Sequence, residues 1–428
     1  MYRTLLCAMA AAITGAVQAQ DTRGEVESLK RRVEELEKKS TAAPRSGSMN
    51  PDISLILQGT AARSSQNPDD YQISGFAPSG GEVGPPRRGF SLGESELIIS
   101  SNIDPYFRGQ LVAALTPEDE IEVEEAFVQT LALGRGFTLK GGRFLSGIGY
   151  QNSIHQHAWD FQDAPLPYKA FLGGRLNDDG VQVKWVAPTD LLVELGAELG
   201  RGRSFPGTDP NRNRGGMWSL FGHVGGDVGA NTAWRAGLSY LKTSPEDRAF
   251  TDADSLGNPD VTQSFRGNSR LWIADFIVKY ARAFKLQGEY FRRAERGELT
   301  YDDTTSPTPQ FGAAFTDRYS SRQSGWYLQG VYAFMPRWRA GYRHDRLSHG
   351  SVSNGVVASG AGPAAADFPL LMADHNPSRN TVMVDWSPSE FSRIRLQLAR
   401  DKSRADVTDN QALVQFIFSL GAHGAHTF

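Results

Sequence analysis

The stretch QALVQFIFSLGAHGAHTF, residues 411–428, carries an apolar side chain at every second position as far as Leu420 and ends on an aromatic residue. Every second residue from Ala412 to Leu420 is apolar, and Phe428 shares their parity. Successive side chains of a β-strand point to opposite faces, so one face of this stretch is apolar. A strand of a closed membrane barrel needs that pattern, because one face meets lipid and the other meets the lumen. The stretch therefore predicts the last strand of an all-β, antiparallel transmembrane barrel, with its end at Phe428 as the expected contact for the barrel assembly machinery.

The N-terminus predicts export. Arg3 precedes an apolar run from Leu5 to Val17, and the run ends in small residues up to Ala19. This order is typical of a Sec signal peptide, here residues 1–19, and with the strand pattern it predicts a mature chain in the bacterial outer membrane. The single cysteine, Cys7, lies within the signal, so the mature chain has no thiol for a disulfide, a metal or a nucleophile.

The composition of the 428 residues excludes several classes of protein. No stretch of the mature chain approaches the roughly 18 consecutive apolar residues of a transmembrane helix, and mean hydropathy is -0.40. A net charge of -3 gives no sign of nucleic-acid binding. The 45 glycines and 10% aromatic residues fit many short strands joined by turns.

Residues 20–40 predict a short periplasmic coiled coil. Val26, Leu29, Val33 and Leu36 follow a heptad spacing within a run rich in Glu, Lys and Arg. Two heptads are unstable alone, although they could pair where barrels hold the chains together. The residue types at the heptad positions favour a dimer, but they do not fix the number of chains in the assembly. The alternative is a single amphipathic helix that is exposed to solvent. Residues 41–50 predict a linker, and residues 51–428 predict the barrel.

The pattern from Pro51 onward predicts about sixteen strands, whose connections alternate between tight and long. Tight turns are expected on the periplasmic side and long loops outside, so both termini would be periplasmic. The candidate strands lie near 53–61, 90–100, 106–115, 122–131, 137–145, 180–187, 191–200, 217–225, 232–241, 270–280, 284–293, 324–334, 337–347, 379–387, 391–401 and 411–428.

Alternation then predicts which charged side chains line the lumen. With Trp338, Tyr342 and Leu396 facing lipid, their neighbours face inward. One arc of the wall is expected to be basic and another acidic, and the two arcs would create a transverse electric field across the pore. The alternative is that the charges are scattered and only keep the lumen hydrated. The basic candidates are Lys285, Arg293, Arg337, Arg339, Arg343, Arg393 and Arg395; the acidic candidates are Glu94, Glu96, Glu194 and Glu198.

The loop between strands five and six, residues 146–178, predicts a constriction inside the barrel. His155 and His157 lie two residues apart and Asp160 follows, which is a conceivable metal site. A His-x-His pair in a polar loop is more often a hydrogen-bonding pair, so neither a metal nor another cofactor is expected. The constriction candidates are His155, His157, Asp160, Asp163, Lys169 and Arg175.

The order of signal peptide, short heptad segment, Gly-rich strands and terminal Phe428 resembles the phosphate-selective porin O and P superfamily. His155 to Phe161, Asp178 to Gln182 and Ser419 to Phe428 also resemble a porin-like proteobacterial subgroup. The resemblance implies a passive pore, a homo-oligomer that is usually a trimer, and a ladder of lumen arginines that selects phosphate. Arginines of strands thirteen and fifteen could form such a ladder, whereas the Asp-rich loop would repel phosphate.

We therefore expect a passive outer-membrane porin for small hydrophilic solutes or ions, and no enzyme activity. The alternative is an anion- or phosphate-selective porin. A TonB-dependent transporter would need a plug and a larger barrel than the chain can supply. An outer-membrane hydrolase would need a nucleophile beside His344 or His349.

Overall fold

The computed structural model describes residues 51–80, 83–117 and 119–421. The predicted signal peptide, coiled coil and linker, and the terminal Phe428, lie outside these residues. Among the described residues, no helix has both the length and the apolar character needed to cross a membrane.

The described chain forms one closed antiparallel sheet of 16 strands, which confirms the predicted barrel. β1 closes the barrel by pairing with β18, from Ser54 opposite Gly421 to Ser64 opposite Gln411. β2 and β3 both pair with β1, and β10 and β11 both pair with β12, so the eighteen β-segments make sixteen barrel strands. The segments are β1 (Asp52–Ser64), β2 (Gly89–Leu92), β3 (Ser95–Asn102), β4 (Phe107–Leu115), β5 (Ile121–Thr130), β6 (Phe137–Leu145), β7 (Asn177–Val186), β8 (Leu192–Gly200), β9 (Met217–Val228), β10 (Thr232–Thr243), β11 (Arg248–Asp252), β12 (Val261–Tyr280), β13 (Phe284–Asp302), β14 (Ala314–Met335), β15 (Trp338–Asn354), β16 (Ser378–Ser389), β17 (Ser392–Lys402) and β18 (Asp409–Gly421).

Tight and long connections alternate along the barrel as predicted. The tight ones, such as 281–283 between β12 and β13 and 336–337 between β14 and β15, lie at one end, which we call the turn end. Ala281, Arg282 and Arg337 adopt positive φ there, which lets the chain reverse within two or three residues. The opposite end, called the loop end, carries the connections 65–88, 146–176 and 355–377.

The outward faces of the strands carry an apolar band between two rows of aromatic side chains. On β12, Trp272, Phe276 and Tyr280 are exposed, whereas the alternating Ile273 and Ile277 are buried inside. Aromatic rings of the loop-end row contact one another across neighbouring strands. The ring centroids of Trp218 and Tyr240 lie 5.1 Å apart, and those of Tyr240 and Trp272 lie 4.7 Å apart. An apolar band flanked by aromatic girdles is how such barrels match a bilayer. The turn-end row includes Tyr280, Phe284, Tyr332, Trp338 and Trp386, and the loop-end row includes Trp218, Tyr240, Trp272, Tyr290 and Trp326.

The middle of the barrel holds an apolar cluster, which the alternation pattern did not predict. A short helix of the 146–176 loop, α1 (Leu166–Leu172), is buried along its whole length and packs against inward residues such as Phe291 and Tyr327. α1 ends at Gly173, whose φ of 66° terminates the helix in the left-handed conformation. A second apolar cluster joins inward residues of the long strands to the 355–377 loop, which carries the helical turn α2 (Gly355–Ala358). The interior is therefore packed as well as polar.

Candidate functional site: the loop inside the barrel

The connection between β6 and β7, residues 146–176, crosses the barrel interior. We call it the inner loop. Both of its ends are held at the β6–β7 wall, because Asn152 Nδ2 donates to the carbonyls of Ser146 at 2.8 Å and Leu176 at 2.9 Å. Glu198 of β8 adds an anchor by accepting from the Gly147 amide at 2.8 Å. From there the inner loop reaches inward residues of β13, β15 and β17 on the far wall.

One side of the inner loop meets four glutamates. His157 Nδ1 lies 2.9 Å from Glu96 Oε1, and His155 Nδ1 lies 3.2 Å from Glu124 Oε2. The other ring nitrogen of His155, Nε2, lies 3.0 Å from Glu125 Oε2. Burial alone would lower the pKa of His155, but hydrogen bonds to Glu125 and Glu96 raise it to about 10. His155 is therefore a cation at neutral pH.

Arg175, near the end of the inner loop, completes this acidic contact. Its Nη2 pairs with Glu94 Oε1 at 2.5 Å and also with Glu124. Alternation predicted Glu94 and Glu96 but missed Glu124 and Glu125. The register of β4 and β5 shifts between Val112 and Ala113, and this bulge turns both neighbouring glutamates inward.

The other side of the inner loop meets a basic wall. Asp160 pairs with Lys285 of β13 and with Arg339 Nη1 of β15 at 3.2 Å. Burial alone would raise the pKa of Asp160, but Lys285 and Arg339 lower it to about 2. Arg339 also pairs with Asp385 of β16 at 2.5 Å. The acidic part of the inner loop is therefore neutralised by the basic arc.

Asp163 is the most heavily paired residue of the inner loop. It lies 3.2 Å from Arg343 Nη2, 3.0 Å from Arg379 Nη1 and 3.1 Å from Lys169 Nζ. Burial alone would raise the pKa of Asp163, but Arg379, Lys169 and Arg343 hold it well below its usual range. Sequence reasoning missed Arg379, although its place in a strand of alternating parity was a usable signal.

Three further arginines of the predicted basic arc hold the inner-loop backbone. Arg395 Nη2 donates to the Trp159 carbonyl at 2.7 Å, and Arg393 Nη1 donates to the same carbonyl at 3.1 Å. Arg293 stacks over the Phe171 ring at 5.0 Å and donates to Gln323 at 2.6 Å. All three side chains are buried. They anchor the inner loop to the wall.

Of the two other predicted lumen residues, Glu194 pairs with neighbouring residues of the wall and Arg337 does not face the lumen. Glu194 Oε1 lies 3.0 Å from His223 Nδ1, and its Oε2 lies 3.1 Å from Lys184 Nζ. The prediction for Arg337 needs correction, because this residue is exposed in the turn 336–337 with a φ of 71°. The strand begins one residue later than expected, at Trp338, so Arg337 does not belong to the alternating wall.

A buried carboxylate that the sequence did not flag also holds the inner loop. Glu289 of β13 accepts from the amides of Tyr150 at 3.1 Å and Gln151 at 3.0 Å. The hydroxyl of Tyr168 donates to the same carboxylate at 2.9 Å. Glu289 has the parity of Lys285 and Arg293, which was the signal available in the sequence.

The predicted combination of His155 and His157 with Asp160 is not assembled, because Asp160 lies at the basic wall. Instead, ligand atoms of Glu96, Glu124 and His155 lie within 4.8 Å of one another. This spacing could accommodate a cation, but the three side chains already pair with one another and with Arg175. We assign no metal to them.

Below the inner loop, toward the turn end, five inward charges are only partly covered. Between 18% and 36% of the surface of each of these side chains is exposed to solvent, whereas the charges described above as buried beside the inner loop are almost fully covered. Partly exposed charges on an inward face can remain hydrated in an aqueous channel. They are Lys184, Glu194, Arg235, Lys285 and Arg339.

Comparisons with known proteins relate the chain to a sequence relative and to solved barrels. No protein-family model matches it. An uncharacterised protein of Aquifex aeolicus (strain VF5) is 32% identical over 410 residues, covering 88% of this chain and 80% of the relative.

The solved structures show a shared fold at low sequence identity. A loop L8 deletion mutant of OmpT, an outer membrane protein of Vibrio cholerae, has a TM-score of 0.52 at 12% identity, covering 86% of this chain and 99% of that chain. The outer membrane channel DcaP of Acinetobacter baumannii has a TM-score of 0.51 at 10% identity, and the match covers 86% of this chain and 97% of the DcaP chain. The anion-selective porin of Comamonas acidovorans has a TM-score of 0.51 at 10% identity, covering 86% and 99%. The chain therefore has the fold of outer-membrane porins and channels, and the narrower resemblance to the phosphate-selective O and P superfamily stays a prediction.

Proposed function

We propose that this chain, which belongs to the same protein family as the uncharacterised Aquifex aeolicus protein, is an outer-membrane porin for small hydrophilic solutes or ions. The inner loop carries the proposal. It crosses a closed sixteen-stranded barrel and is held on both sides by ion pairs, so it narrows the lumen without being a separate plug domain. Solutes pass by diffusion beside the inner loop and along the partly exposed charges below it.

Location and partners form part of the same proposal. The apolar band between two aromatic rows supports an outer-membrane position, with the turn end in the periplasm. The signal peptide at residues 1–19 directs export, and the C-terminal segment that includes β18 and Phe428 is recognised by the barrel assembly machinery. We propose a homo-oligomer, with a trimer favoured by the resemblance to porins; OmpT of Vibrio cholerae, a structural neighbour, is described in a trimer form.

A second candidate function is an anion- or phosphate-selective porin. The arginines of β15 to β17 favour it, because Arg339, Arg343, Arg393 and Arg395 all face the interior. Asp160 and Asp163 weigh against it, since they neutralise part of this basic arc. The general porin is therefore our first proposal. A measurement of ion selectivity distinguishes it from the anion-selective porin.

Planar-bilayer recording of the purified barrel tests the porin proposal directly. We expect stable open steps, smaller than those of an unobstructed sixteen-stranded barrel because the inner loop fills the middle of the lumen. A protein that inserts and folds but gives no open steps would contradict the proposal. Such a result would favour a gated transporter or an outer-membrane hydrolase.

The reversal potential in a salt gradient tests selectivity. Lys285→Gln with Arg339→Gln should shift it toward cations, and Asp160→Asn should shift it toward anions. Arg337→Gln removes a cation from an exposed turn and should leave selectivity unchanged. Both shifts should shrink at high salt, because the Debye length falls from about 10 Å at 0.1 M to about 3 Å at 1 M. A strong anion preference that persists in the wild type at high salt would favour the second candidate.

A further inference from the structure

Five arginines form a cluster on the outside of the long strands. β12 to β15 have between 17 and 22 residues each and extend beyond the loop-end aromatic row. The arginines share the outward parity of Trp272, Tyr290, Trp326 and Tyr342, and each lies nearer the loop end than the aromatic residue of its own strand. They are Arg270, Arg292, Arg296, Arg322 and Arg346, and all are exposed. We call them the arginine belt.

The arginine belt is not neutralised within the described part of the chain, where none of its five members forms an ion pair. The inward Arg339 and Arg343, by contrast, each pair with aspartates. An outward acid on the same wall, Glu298, lies opposite Arg266 and Arg318 in the strand register. The chain as a whole carries a net charge of -3, so this local excess of positive charge does not follow from composition.

A groove within the arginine belt has the chemistry of a phosphate site. It has a volume of about 530 Å³ and is lined by Arg270, Arg296 and Arg322. Ser320, Ser351 and Ser353 line the same groove, as does Glu295, whose buried carboxylate is paired with Arg248. Guanidinium groups bind phosphate through paired, charge-assisted hydrogen bonds, and serine hydroxyls can donate to the remaining oxygens.

The position of the groove identifies the source of the phosphate. Aromatic girdles mark the two edges of the hydrocarbon core, so side chains just beyond the loop-end row lie in the headgroup layer. Arginines that faced acyl chains would destabilise the barrel, whereas arginines in a layer of anionic headgroups gain favourable interactions. We propose that the arginine belt binds the phosphate groups of an anionic glycolipid in the outer leaflet. This inference rests on the outer-membrane location given under the proposed function.

Titration of the full-length barrel with a diphosphorylated glycolipid, lipid A, in zwitterionic detergent tests the proposal. Trp272 and Trp326 lie beside the arginine belt, so their fluorescence reports binding. Arg296→Gln with Arg322→Gln should weaken binding about 30-fold, since each arginine near an anionic surface contributes a factor of about five. The matched control, Arg135→Gln with Arg282→Gln, removes two exposed cations from turn-end connections and should leave the affinity unchanged. Heat-resistant migration in gels checks that both variants are folded.

Three further measurements separate the outcomes. Dephosphorylated lipid A should bind to the wild type as weakly as lipid A binds to the belt variant. Equal affinity of both double variants for lipid A would overturn the proposal. Saturation of the groove by inorganic phosphate at the same concentration as lipid A would assign it to free phosphate and would also overturn the proposal. Channel recording on the same preparations distinguishes the two proposals, because an open channel with no lipid preference contradicts the arginine belt alone, and lipid binding without a channel contradicts the porin alone.

Discussion

The two sides of the inner loop are held by opposite charges, and the chemistry of the two contacts differs. On the acidic side, His155, His157 and Arg175 meet glutamates of β3 and β5 and the strand break between β2 and β3. On the basic side, Asp160 and Asp163 meet lysine and arginine side chains of β13, β15 and β16. The inner loop is thus complementary to both arcs of the wall.

The difference between the contacts shows how firmly each side can be held. Arginine remains charged at any pH that the folded protein meets, so Arg339, Arg343 and Arg379 keep their charge in the basic contact. Histidine can change its charge, so part of the acidic contact depends on protonation. We therefore expect the inner loop to detach first from the acidic side.

Among the tests of this difference between the two contacts, Asp163→Asn should have the largest effect on stability and conductance. It removes the carboxylate shared by Arg343, Arg379 and Lys169, and leaves buried cations with less compensation. Breaking a buried pair in this way costs about 3–5 kcal/mol. We expect a lower urea midpoint and larger, noisier open steps in planar bilayers.

The matched control for this variant is Asp374→Asn, because the Asp374 side chain is 95% exposed. It should behave as the wild type. Equal behaviour of the two aspartate variants would show that the basic contact does not hold the inner loop.

Glu96→Gln should have a smaller effect at the acidic side. It removes the charge that faces both His155 and His157, but the amide that replaces it can still hydrogen-bond to the imidazoles. We expect a loss of about 1–3 kcal/mol, typical of a buried polar group left with a weaker partner. Urea unfolding should show a smaller shift than for Asp163→Asn, with Glu390→Gln in the exposed turn 390–391 as the control. A larger shift than for Asp163→Asn would reverse our ranking of the two sides.

Alkaline pH should have the smallest effect and should act mainly on the acidic side, because Arg343 and Arg379 keep their charge beside Asp163 even where Lys169, whose pKa burial lowers, loses its own. Glu96 of β3, Glu124 and Glu125 of β5, and His157 and Arg175 of the inner loop face His155. Because the folded pKa of His155 is raised to about 10, its stabilising contribution is complete below about pH 6.5 and is lost as the pH rises through 10. Channel conductance should increase between pH 8 and pH 11, and His155→Gln should remove most of this increase. An unchanged pH dependence in that variant would place the transition at another group.

Much of the barrel could be predicted from alternation, because a strand between lipid and lumen must repeat every second residue. The outward Trp272 and Tyr280 and the inward Arg393 and Arg395 follow from this rule. Arg337 escaped the rule, since alternation does not mark where a strand gives way to a turn. Glu124 escaped it as well, because a bulge turned two successive residues to one face.

The partners of the inner loop could not be predicted in the same way. The sequence placed His155, His157 and Asp160 within one loop, where they formed a weak candidate for a metal site. The structure separates them, because the inner loop crosses the lumen and each charge pairs with the wall that it reaches.

The sequence by itself determined the class of sheet, the number of strands and the face of most side chains, because the bilayer imposes a local repeat on every strand. Only the tertiary structure decided which wall residues the inner loop contacts, that an apolar cluster fills the middle of the barrel, and that β12 to β15 bring five arginines together outside. These features join residues that are distant in sequence, such as Asp163 and Arg379. Their contacts depend on barrel closure and register, and a local pattern carries no information about either.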